Sequence, residues 1–224
     1  MFKKILVAAF VVVSINGYGQ TINWARLQKT DKHILNINAG IDYSLTAGLG
    51  YGYQLKTKIP IILNAEYSMP FGDNLLDDHK TKIGATVRLI KAGKFAITAK
   101  VQGVFRRYES DYVRLVNFGS DMSVTGGYYK KKWFIAGEIG FDKAIVTHFK
   151  HKKFYKDVFP NVKDGWYEPS TGGNFYYGLQ SGVSFKQSDI TLRVGRVITQ
   201  DFKTTPGLPF YAQLGYAVKL SNKK

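Results

Sequence analysis

Apolar and polar residues alternate one for one along most of this chain. The clearest run is the last, where Phe210, Ala212, Leu214, Tyr216, Val218 and Leu220 alternate with Tyr211, Gln213, Gly215, Ala217 and Lys219. Period two sends successive side chains to opposite faces, so this stretch predicts a strand with one apolar face. Its eleven residues are about the length of a tilted strand that crosses a bilayer.

The same pattern predicts strands over 33–43, 45–55, 59–71, 81–90, 95–106, 116–129, 133–142, 174–186 and 190–199. With 210–220 that makes ten. The first two form one unbroken alternation from Leu35 to Leu55, too long for a single strand, and a tight turn near Asp42–Thr46 divides it. Eight strands is the alternative count.

The connections supply a second pattern. Lys56–Lys58, Lys91–Lys94, Lys130–Lys132 and Lys186–Asp189 are short, whereas Gly72–Lys80, Arg107–Leu115, Lys143–Gly173 and Gln200–Leu208 are long. Short and long links alternate, as in membrane barrels with short periplasmic turns and longer outer loops. The expected fold is therefore all-β: an antiparallel up-and-down transmembrane barrel over residues 33–220. A soluble barrel has no reason for that asymmetry.

Composition changes the picture in three ways. The chain opens Met1-Phe2-Lys3-Lys4, followed by the apolar run Ile5–Val13 and small residues Gly17 and Gly19. That is a secretory leader with cleavage expected after Gly19, leaving 20–32 as a periplasmic lead-in, with Trp24 at the lower rim, and 221–224 as a periplasmic tail. No later run is long and apolar enough for a membrane helix, but a barrel hides its lipid face in every second residue. There is no Cys, which excludes disulfides and thiol chemistry.

The net charge is +16, or +14 once Lys3 and Lys4 leave with the leader. Parity places ten charges inside the barrel: Asp42, Glu66, Asp121, Glu138 and Asp142 against Arg88, Lys100, Arg106, Arg193 and Lys219. Five acids against five bases predict a paired network, because buried charge is tolerated only when paired. Either that network fills a narrow lumen, or the many inward glycines (Gly40, Gly48, Gly50, Gly52, Gly178, Gly182, Gly195, Gly215) leave room for a small pore. Parity also sends Arg196 outward. A bulge at Gly195 would turn it in; the expectation is instead that it snorkels to the outer leaflet and contacts a lipid-A phosphate.

The excess positive charge falls on the turns and on the longest loop. There, basic and aromatic residues interleave, with His148, Lys150, His151, Lys152, Lys153, Lys156 and Trp166 as the candidate binding set. Such a surface suits phosphate-bearing glycolipid, an acidic glycan or a surface protein. Nucleic acid is excluded by compartment. His148 and His151 form a bare His-x-x-His with no third ligand evident, so neither a metal site nor a catalytic group nor a cofactor is expected.

The Gly50–Tyr53 run (Gly-Tyr-Gly-Tyr) and the strand pattern over 33–220 resemble the small outer-membrane barrels of the OmpA, OmpX and Ail type, and are similar to short barrel proteins of Bacteroidetes. That resemblance implies a monomeric, non-enzymatic barrel in the cell outer membrane, in contact with lipid and lipopolysaccharide. It implies a structural or surface-interaction role, with a narrow porin-like channel for small solutes as the alternative and a rim-located hydrolase third. Such families end on an aromatic residue, whereas this chain ends Leu220-Ser221-Asn222-Lys223-Lys224.

Overall fold

A computed structural model of the chain describes residues 21–71, 77–170 and 172–221. The expected leader, its cleavage site and the tail 222–224 lie outside the described residues. The strands are β1 (Asp31–Ile41), β2 (Leu45–Gln54), β3 (Ile61–Pro70), β4 (Asp78–Ala92), β5 (Phe95–Glu109), β6 (Val113–Tyr129), β7 (Trp133–His151), β8 (Gly165–Tyr167), β9 (Gly173–Phe185), β10 (Ser188–Thr199) and β11 (Phe210–Ser221), with one short helix, α1 (Lys153–Val158). Ten of them close a ring. Neighbours pair antiparallel from β1 to β7, β9 follows β7, and β11 pairs back with β1, so no edge is left unpaired. β8 is a three-residue addition to the upper part of β7.

The strands are tilted. Following pairs around the wall from Ile90 leads through Ile97, Gly126, Gly137, Leu179, Val194, Ala212 and Ile41 to Leu45. That path starts at the short-turn end of β4 and arrives at the opposite end of β2. The short-turn end is called periplasmic below and the other end outer.

The expected turn at 42–44 is present, and β1 and β2 pair across it from Ile41↔Leu45 to His33↔Tyr53. The outer ends of β4 to β7 run further than the alternation indicated. β5 and β6 meet in a tight turn at 110–112 where a loop over 107–115 was expected, and β7 continues to His151 through what was expected to be loop. Two causes account for this. Beyond the bilayer both faces of a strand are wet, so period two disappears from the sequence. A bulge also leaves Ile145 without a partner between Ala144↔Gly119 and Val146↔Phe118, which reverses parity in β7.

The outer surface is apolar and bounded by rings. On neighbouring strands Tyr67, His79, Phe105, Phe118, Trp166 and His148 form an unbroken chain of ring contacts, with centroids 5.5, 5.9, 5.3, 6.1 and 4.9 Å apart. At the periplasmic end Phe95, Tyr128 and Trp133 do the same at 5.0 and 5.8 Å, with the Lys130 ammonium over the last two rings. Phe95 and Phe105 are ten residues apart on β5, as are Phe118 and Tyr128 on β6. Ten residues span about 33 Å along a strand, or about 25 Å of height at the usual tilt of about 40°. That is the height of the lipid-facing band of an outer-membrane barrel, and residues between the girdles such as Ile83, Val101, Ile139 and Leu214 are exposed.

Candidate functional site

Inside this wall the charges sit in tiers. Uppermost, Arg106 forks onto Asp78 with its Nε at 3.0 Å from Oδ1 and its Nη2 at 2.7 Å from Oδ2, and lies over the Tyr43 ring. Lys80 reaches Asp42 at 3.0 Å. Below them Lys82 meets Asp121 at 2.5 Å, with Lys100 at 3.9 Å. Arg193 bonds Glu138 at 2.5 Å and covers the Tyr211 ring. Asp121 and Glu138 are further held: Tyr176 Oη donates to Asp121 at 2.6 Å, and Tyr211 Oη and Gln180 Nε2 donate to Glu138 at 2.7 and 2.6 Å. Glu66 accepts from Gln102 at 2.8 Å.

All ten charges predicted to face inward do so, but they divide by depth. Arg88 points down onto Trp24, and Lys219 is buried at the periplasmic end on Asp189 at 2.5 Å. Among the described residues Asp78, Lys80, Lys82 and Asp189 join them, as does the buried Asp31 at the periplasmic end, and all five were missed. The first two were assigned to a loop and Asp189 to a turn. Lys82 shares parity with the inward Gly84, Thr86 and Arg88, so its signal was present.

The inward glycines serve two ends: Gly48 and Gly215 border open space in the lumen, whereas others make room for rings. A Cβ on Gly140 would fall 2.2 Å from the Tyr176 ring, and Cβ atoms on Gly178 and Gly195 would fall 2.4 and 2.3 Å from Tyr211 Oη. The bare wall lets both tyrosines lie flat and reach their carboxylates. Gly195→Ala is therefore expected to push Tyr211 off Glu138 and destabilise the barrel by about 1–3 kcal/mol, the usual cost of overpacking. A urea titration of the refolded protein in vesicles checks this, and an unchanged midpoint would refute it.

Two chambers remain. The outer vestibule, about 380 Å³, is lined by the tyrosines Tyr43, Tyr176 and Tyr211 and by Asp142 and Asn174. The inner chamber, about 100 Å³, is lined by Asn38, Glu66, Lys100, Gln180 and Gln213, with Thr21 and Trp24 among its walls. Asp42, Lys80, Lys82 and Arg193 line both, so the paired charges form the girdle between them.

Below the inner chamber the lumen is shut. Trp24, expected at the rim, lies inside at 6% exposure, and Ile22 at 2%. They pack with Ile34, Ile62, Ala96, Tyr129, Phe134, Ala136 and Ala217 in an apolar layer that crosses the barrel. Asn23 between them is fully buried and fully used. Its N–H donates to Asp189 Oδ2 at 3.0 Å, its Nδ2 to Lys130 O at 2.7 Å and Ser184 Oγ at 2.9 Å, and its Oδ1 accepts from Ala25. Arg26 then fastens the segment to the carbonyls of Lys131 and Lys186 on the rim. Residues 21–27 are thus a plug.

The predicted outer-loop set is divided rather than gathered. His148 and Lys150 lie on the outward face of β7, and Trp166 packs edge-to-face against His148 from β8. His151 faces the other way, so the two histidines diverge. His151 and Lys156 clasp Asp164, at 3.0 Å from Oδ1 and 2.5 Å from Oδ2. The Lys156 ammonium and the His151 backbone N–H hold the Asp164 carboxyl well below the usual carboxylate range. Lys152 bonds Glu109 at 2.7 Å, and Lys153 starts α1 in solvent. Arg196 projects outward with no bulge in β10, opposite Phe210 and Tyr177 near the outer end. A position near the interface removes most of the cost of a lipid-facing arginine.

No protein-family model matches this chain, and no curated protein matches it. Among solved structures it is similar to the KdgM porin, with 10% identity, a TM-score of 0.44, and 84% of this chain and 99% of that one covered. The KdgM porin in complex with disordered oligogalacturonate gives 9%, 0.43, 84% and 99%. LpxR from Salmonella typhimurium gives 8%, 0.31, 92% and 80%.

Proposed function

We propose that this protein is a narrow, porin-like barrel of the outer membrane that admits small polar solutes from outside and is closed at its periplasmic end by its own residues 21–27. The observation that carries the reading is the pair of polar chambers meeting at a shared girdle of Asp42, Lys80, Lys82 and Arg193. A barrel filled only for stability would have no use for an open vestibule of about 380 Å³ above a second polar space. The paired charges favour small solutes of either sign over a strongly selected ion. No catalytic step belongs to this reading. The competing role in surface interaction rests on the basic and aromatic segment after β7, whose cations are partly spent on Asp164 and Glu109.

Conductance in planar bilayers tests the pore. Discrete steps are expected from the refolded protein, rare while the plug is seated. Arg193→Gln leaves Glu138 without its cation and is expected to move the reversal potential in a salt gradient toward cation preference. A folded barrel that stays silent even with the plug disrupted would overturn the reading.

A further inference from the structure

The outward wall above the upper aromatic girdle carries a second charge pattern, unrelated to the lumen. On β6 and β7, Arg114 is paired directly with Lys150. Like charges opposite each other on one face of a sheet repel and destabilise it. Glu109, which faces Arg114 from β5, does not relieve them. Its carboxylate is taken by Arg107 at 2.5 Å and Lys152 at 2.7 Å. Among the described residues, neither Arg114 nor Lys150 has an acid within ion-pair distance. Four cations and one acid thus gather at the outer ends of three adjacent strands, leaving an excess of three positive charges.

Height settles what such a patch meets. Arg107 lies two residues beyond Phe105, Lys150 two beyond His148, and Arg114 four beyond Phe118. At about 3.3 Å per residue and a tilt of about 40°, these rise from about 5 to about 10 Å above the girdle. The girdle marks the edge of the hydrocarbon, so the cations stand in the headgroup layer. Continuity supports the same occupant. Trp166 on β8 is exposed and touches Phe118 on the lipid-facing wall, so apolar and basic surfaces follow one another as acyl chain and headgroup do.

We propose that Arg114 and Lys150, with Arg107 and Lys152, form a binding site for a phosphate group of an outer-leaflet glycolipid. The phosphate sits between the two opposed cations and removes their repulsion through charge-assisted hydrogen bonds. The proposal shares with the pore reading only the orientation of the barrel in the membrane.

The test is retention of bisphosphorylated lipid A by the detergent-solubilised barrel, read by native mass spectrometry. One lipid A is expected on the wild type. Arg114→Gln with Lys150→Gln is expected to lower the retained fraction by about tenfold or more, as the loss of two charge-assisted contacts implies. Arg114→Lys should largely restore it, and Lys58→Gln, in the short turn between β2 and β3 at the opposite end of the barrel, should leave it unchanged. A heat-modifiable band on gels shows that each variant is folded. Lipid A stripped of both phosphates should be retained weakly by all. Unchanged retention in the double variant overturns the site. Displacement by millimolar inorganic phosphate would make it a free-anion site, and displacement by soluble alginate a glycan site, each against the proposal. Conductance is measured separately, so failure here leaves the pore reading standing and failure there leaves this one.

Discussion

Lys82→Met is expected to cost the barrel about 3–5 kcal/mol, the usual effect of removing one partner from a buried ion pair. Asp121, 1% exposed, would lose its ammonium at 2.5 Å and keep only Lys100 at 3.9 Å and the Tyr176 hydroxyl. The loss is aggravated across the sheet. Asp121 is paired directly with Asp142, so two carboxylates face each other on the inner wall of β6 and β7. Without Lys82 they repel at close range. Asp121→Asn added to Lys82→Met should recover a large part of the stability, because the amide oxygen still accepts from Tyr176 while the charge is gone. The double-mutant cycle in urea, read on vesicles, measures that coupling. A single variant within about 1 kcal/mol of wild type would show that Lys82 is dispensable and that the girdle is not a connected network. The same substitution leaves the vestibule one positive charge short, so any conductance should turn cation-selective alongside the loss of stability.

How far the chain could be read before its fold was known depends on where the solvent changes. Between the girdles one face of each strand meets lipid, and period two is enforced there. This is why ten strands, the turn at 42–44 and the inward placement of Glu66, Lys100, Asp121 and Glu138 were all legible. Above the girdle that contrast ends, and β4 to β7 continue through sequence with no period. Asp78 and Lys80 were therefore lost to a loop, and the bulge at Ile145 reversed the faces of His148 and Lys150 relative to simple parity. The Arg114–Lys150 pair was illegible for a further reason, since its meaning lies in cross-strand register and height. The plug was hidden by its own chemistry. Ile22-Asn23-Trp24 has no periodicity, and its partners Lys130, Ser184 and Asp189 lie more than a hundred residues away. The inward glycines could be seen but not sorted: Gly178 and Gly195 make room for Tyr211, whereas Gly48 and Gly215 line the inner chamber, and only the cross-strand neighbours tell the two apart.

The other large effect is expected at the plug. Ile22→Ala with Trp24→Ala removes the two side chains that cross the lumen, leaving Asn23 and Arg26 to hold the segment. Loss of a buried tryptophan costs about 3–5 kcal/mol, and the isoleucine adds about 2–5. The ring of strands does not depend on that layer for its hydrogen bonds, so the barrel should still migrate as a folded, heat-modifiable band. What changes is the path. The inner chamber, whose walls include Trp24, would run through to the periplasmic turns, and open time in planar bilayers is expected to rise by about tenfold or more, a shift of about 1.4 kcal/mol in the gating equilibrium. Locking gives the converse. Asn23 Nδ2 and Ser184 Oγ meet at 2.9 Å, and the chain has no cysteine of its own. Asn23→Cys with Ser184→Cys should therefore form one defined disulfide where backbone geometry permits closure. Oxidised, that barrel should be silent, and reductant should restore its steps within the same recording. If the alanine pair conducts no more than wild type while folded, residues 21–27 are a structural floor. If it conducts freely and the disulfide silences it, the same residues are the gate. The two variants move the chain in opposite directions, so a general loosening of the fold cannot produce both results.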